Sequence, residues 1–113
     1  MSPVVPNVEI TALLGRGTRF EGKLSFEGRV RIDGSFRGEI QTTGVLVIGE
    51  GAQVSANIRA TSVIVKGGTV EGDIVASESI ELYVPARVTG NLRAPEVFMD
   101  RGVQFSGECS IDQ

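Results

Sequence analysis

At 113 residues the chain has room for one domain. It holds fifteen glycines, five Phe, one Tyr and neither Trp nor His, so tight bends are plentiful, ring packing is scarce and imidazole acid–base or metal chemistry is excluded. The net charge is −3 with both signs interspersed, which provides no field to draw the chain onto nucleic acid or anionic lipid.

Residues 1–7 read as a short flexible tail in which only Pro3 and Pro6 would blunt a sheet edge. No basic region followed by an apolar stretch opens the chain, so a secretory signal is not expected. No Lys or Arg precedes Arg16, and Val4 and Val5 are the apolar residues of the tail, which argues against direct membrane binding. Nowhere does an apolar run approach the ~20 residues that span a bilayer. The single Cys109 has no partner for an intramolecular disulfide and suits a reducing compartment, so a cytoplasmic location is expected.

From residue 8 onward the chain repeats itself. The first unit carries Ala12 and Leu14, a Gly15-Arg16-Gly17 turn, and then Phe20-Glu21-Gly22-Lys23-Leu24. The second has Val30 and Ile32 before Phe36-Arg37-Gly38-Glu39-Ile40, and the third has Leu46 and Ile48, the turn Gly49-Glu50-Gly51, and Val54-Ser55-Ala56-Asn57-Ile58. Val63 and Val65 precede Val70-Glu71-Gly72-Asp73-Ile74 in the fourth. In the fifth, Ile80 and Leu82 precede Val88-Thr89-Gly90-Asn91-Leu92, with Pro85 in the turn region, where its fixed φ can serve. The sixth has Val97 and Met99 before Phe105-Ser106-Gly107-Glu108-Cys109, and residues 112–113 remain as a C-terminal tail.

The leading residues stand at 20, 36, 54, 70, 88 and 105, so the spacings are 16, 18, 16, 18 and 17. Within each unit apolar residues alternate with polar ones, the period of a strand with one buried face. Frequent glycine would cost a helix roughly 1 kcal/mol per residue, and the Val and Ile of the apolar slots suit a pleated surface. A period near 17 matches one turn of a β-solenoid. The expected fold is therefore all-β, a right-handed parallel β-helix of about six coils with a triangular cross-section. Handedness follows from the alternating spacings, because left-handed hexapeptide solenoids keep a strict multiple of six. The Gly or Ala in the middle of each unit is expected to leave room for larger residues across a narrow interior.

The run Gly28-Arg29-Val30-Arg31-Ile32-Asp33-Gly34 followed by Phe36-x-Gly38-x-Ile40 resembles the bactofilin family. So do Gly49-Glu50-Gly51-Ala52 before Val54-x-Ala56-x-Ile58, and Val70-x-Gly72-x-Ile74. The resemblance covers about residues 8–111. It implies a right-handed triangular β-helix and nucleotide-independent, end-to-end polymerisation into bacterial cytoskeletal filaments. Such filaments serve as scaffolds for cell shape, for placing cell-wall enzymes, or for chromosome-segregation machinery.

Physical chemistry points the same way. A solenoid ends in two coils with unpaired backbone groups, and natural proteins cap such edges because they template further pairing. The N-terminal tail and the stop at Asp112-Gln113, directly after a complete repeat, are both expected to be poor caps. The candidate polymerisation interface is Leu13, Leu14 and Phe20 at one end with Val103 and Phe105 at the other. Cys109, in an apolar slot, is expected to be a small core residue. Arg16, Arg19, Lys23, Arg29, Arg31 and Arg37 lie among Glu9, Glu21, Glu27, Asp33 and Glu39, a pattern of solvated surface with ion pairs between coils. Residues 1–40 carry six basic and five acidic groups and the remainder five and nine, too mild a split to set filament polarity.

No catalytic residue, cofactor or metal ligand set is expected. Acyltransferases built on left-handed β-helices need a catalytic His, and polysaccharide-acting solenoids need long loops. This chain offers neither. The alternative is a non-polymerising solenoid that docks a partner protein on flat polar faces.

Overall fold

The computed structural model describes residues 11–111, with side chains from residue 15 onward. Eleven strands form one wound sheet in which every pairing is parallel, and no helix occurs among the described residues. The strands are β1 (Thr11–Leu14), β2 (Arg19–Phe26), β3 (Arg29–Ile32), β4 (Ser35–Thr42), β5 (Val45–Ile48) and β6 (Gln53–Val65). They continue with β7 (Thr69–Glu71), β8 (Ile74–Leu82), β9 (Arg87–Ala94), β10 (Glu96–Met99) and β11 (Gln104–Ile111).

The register reproduces the sequence repeat residue for residue. Ala12, Val30, Leu46, Val63, Ile80 and Val97 form one column, and Leu14, Ile32, Ile48, Val65, Leu82 and Met99 form the next. On a second side Phe20, Phe36, Val54, Val70, Val88 and Phe105 align. On the third, Leu24, Ile40, Ile58, Ile74, Leu92 and Cys109 align. Six rungs therefore enclose about five complete turns, and at about 4.8 Å per step they extend about 24 Å along the axis. One irregularity, between Ala60 and Ser62, absorbs an extra residue of β8, because Ala60 pairs with Ala76 while Ser62 pairs with Ser79.

The turn before the second side is also shared. The N–H groups of Thr18, Ala52, Ala86 and Val103 donate to the carbonyls of Gly15, Gly49, Tyr83 and Asp100 at 2.9–3.3 Å. Pro85 sits at the third position of the Tyr83–Ala86 turn, which needs no N–H there. Inside the coils the columns make one continuous apolar core, with Ile32, Leu46, Val63, Val70, Ile74, Ile80 and Leu82 fully buried. Thr42 is the buried polar residue, and its hydroxyl accepts from the Gly44 N–H at 2.9 Å.

The mid-unit glycines do a different job from the one expected. Gly38 and Gly90 have φ of +134° and +139°, and they turn the chain from the second side to the third. A Cβ on Gly38 would run into the carbonyl oxygen of Gly22 in the preceding coil, and one on Gly90 into that of Gly72. These residues let successive backbones stack at a corner; they do not make room for side chains in the interior.

Candidate functional site

Burial along the second- and third-side columns rises from the ends to the middle, so the terminal rungs are the chemically distinctive places. In the second-side column, Phe36, Val54, Val70 and Val88 are at most 2% exposed, whereas Phe20 and Phe105 are only half-buried. The residues are alike; what differs is whether a coil lies on each side of them.

At the N-terminal end β2 pairs only with β4 among the described strands. Phe20, Leu24 and Phe26 are half-buried and pack on the core through one face. The Phe20 ring lies nearly flat on that of Phe36, with centroids 5.1 Å apart and planes 11° apart. Leu13 and Leu14 belong to β1, opposite Arg31 and Ile32, but their side chains lie outside the described residues.

At the C-terminal end, among the described strands, β11 pairs only with β9 and β10 only with β8. Val97, Val103 and Phe105 are half-buried, and Met99 and Ile111 are 37% and 57% exposed although both occupy inward columns. Val103 and Phe105 are thus two members of a larger apolar layer. Sequence reasoning had Val97 and Met99 in its columns without placing them at an open end, and it did not single out Ile111. Cys109 corrects the expectation of a buried thiol: it aligns with buried Leu92, yet it is exposed because no coil covers the last rung.

The N-terminal charges form pairs between adjacent coils, as expected. Lys23 Nζ lies 3.5 Å from Glu39 Oε2, and Arg37 Nη1 lies 3.9 Å from Glu21 Oε2. All four side chains are more than half exposed, so these pairs add little stability. No group of three or more His, Cys, Asp or Glu able to hold a metal occurs among the described residues. No helix among the described residues is long and apolar enough to cross a membrane.

Known proteins match this chain over nearly its whole length. The family model "Bactofilin: Polymer-forming cytoskeletal" matches residues 12–110. Bactofilin BacO of Myxococcus xanthus (strain DK1622) is 30% identical over 100 residues, covering 88% of this chain and 79% of BacO. Bactofilin BacP of the same organism is 33% identical over 105 residues, covering 93% of this chain but only 43% of BacP. The structure of the cytoskeletal bactofilin BacA determined by solid-state NMR superposes with a TM-score of 0.80 at 28% identity, covering 91% of this chain and 98% of that one. A parallel solenoid matched by this family model over residues 12–110, the chain belongs to the bactofilins, the polymer-forming cytoskeletal proteins.

Proposed function

We propose that this chain stacks end to end on copies of itself, without nucleotide, into filaments that scaffold cell shape, cell-wall enzyme placement or chromosome-segregation machinery. The observation that carries the reading is the C-terminal rung. It shows the interior columns of the solenoid, Val97, Met99, Val103, Phe105 and Ile111, next to strand edges that have no partner among the described residues. Covering that layer with another coil would bury apolar area and satisfy the backbone groups in one step. The N-terminal rung offers Phe20, Leu24 and Phe26 for the same purpose. The same reading places the polymer in the cytoplasm, where an exposed lone thiol such as Cys109 stays reduced.

Phe105→Arg tests it. A guanidinium in that layer cannot be buried against a second apolar rung without a partner, while within the chain Phe105 has a coil on one side only. We expect filaments to vanish from negative-stain micrographs and β-rich circular dichroism to remain. Persistent filaments would place the junction elsewhere. For the unsubstituted chain, a concentration-independent 12.0 kDa species in sedimentation would defeat the filament reading itself.

A further inference from the structure

One of the three sides does not have the polar exterior expected of it. Strand alternation turns Arg29, Val45, Ser62, Ser79 and Glu96 outward on the side built from β1, β3, β5 and β10 with the ends of β6 and β8. The neighbouring outward column is Arg31, Val47, Ile64, Glu81 and Phe98. Val45 and Ile64 are half-buried, Val47 is 8% exposed, and Phe98 is 50% exposed with its ring 5.4 Å from that of Tyr83. On the other two sides the outward positions of the strands are polar or charged apart from Val75. An outward apolar centre on one side alone is what a face that packs on something requires.

The charges on this side say what it packs on. Arg29 and Arg31 lie toward the N-terminal end, where the Arg31 Nε–H donates to Asp33 at 3.1 Å and its Nη groups are left for a further partner. Glu81, which accepts from Tyr83, lies with Glu96 and Asp100 toward the C-terminal end, and Lys66 sits near the middle. The midpoint of the six rungs falls between Val47 and Ile64. If two copies pack face to face with their axes antiparallel, each Val47 meets the partner's Ile64 and each Arg31 meets the partner's Glu81. With parallel axes, Arg31 would face the partner's Arg31 and Glu81 the partner's Glu81, which is repulsive. We propose that this side is a lateral contact between filaments, in which facing subunits run antiparallel about a twofold between Val47 and Ile64.

The contact rests on the end-to-end stacking proposed above. Five steps of about 4.8 Å by four residues of about 3.3 Å make roughly 300 Å² per copy, well short of the ~800 Å² per partner of a stable complex. A single pair is therefore weak. A row of such contacts along two stacked filaments multiplies through effective concentration and holds.

A charge swap tests the pairing. Arg31→Glu and Glu81→Arg, made separately, each set like charges against one another, and we expect single filaments where the unsubstituted chain shows paired ones. The Arg31→Glu/Glu81→Arg chain restores opposite charges across the twofold and is expected to restore the pairs, while molar salt loosens the pairs of both. Circular dichroism of all three variants checks that the solenoid persists. Unchanged pairs in the single variants, or single filaments in the double variant, overturn the lateral contact and leave end stacking intact. Absence of filaments from every chain, the unsubstituted one included, overturns stacking and the lateral contact with it.

Discussion

The Tyr83 side chain is held by one hydrogen bond to Glu81 and one ring contact with Phe98. Its hydroxyl donates to Glu81 Oε1 at 2.5 Å, and that bond, together with the negative charges of Glu81 and Asp100, holds the phenol above its ordinary pKa. The sign follows directly: the protonated phenol is favoured in the folded state, so its stabilising contribution is present below the ordinary pKa and is lost as pH rises through the folded one. The chain has one Tyr and no Trp, so phenolate absorbance reports on Tyr83 alone. We expect the absorbance midpoint to lie above that of free tyrosine, and Glu81→Gln to move it down. An unchanged midpoint in the Glu81→Gln chain would show that the bond is not formed in solution.

At the scale of the element, the coil is held in shape by its corner. Gly22, Gly38, Gly72, Gly90 and Gly107 share a φ between +129° and +141°, so the corner geometry repeats from coil to coil, and Ala56 holds the same register slot opposite Gly38. For Gly90→Val the bulky side chain meets both a disfavoured φ and the Gly72 carbonyl. The expected loss is about 2–4 kcal/mol of unfolding free energy. The measurement belongs in the Phe105→Arg background, where urea unfolding is not tied to assembly. The surface offers a contrast. Deleting the exposed Lys23–Glu39 pair would cost within about 1 kcal/mol, because both groups remain hydrated.

For the whole molecule, the fold extends along one axis and each coil touches only its neighbours, so interior and interface are made of the same columns. Cys109 reports on this continuity. In the Phe105→Arg chain its thiol is open to solvent and should react with a disulfide reagent at the rate of an exposed cysteine. In filaments of the unsubstituted chain the last rung is covered, and labelling should slow by about tenfold or more, since reaction then waits on opening of the junction. Equal rates would remove the C-terminal rung from the assembly surface.

The sequence by itself determined the coil. Apolar residues at period two, glycine at a fixed slot and spacings of 16 to 18 dictate which residues stack on which, and the observed registers join Phe20 to Phe36 and onward to Phe105 as the spacing requires. The reason is that a stacked solenoid turns sequence period directly into spatial neighbourhood. Tertiary structure decided what depends on having a neighbour on both sides. Leu92 and Cys109 occupy one column, yet the first is buried and the second open. The corner role of Gly38 appears only once the Gly22 carbonyl lies beneath it. The apolar side around Val47 and Ile64 likewise emerges only when residues 17 apart in the chain are laid side by side. Local pattern sets the columns; burial and exposure follow from where the stack ends.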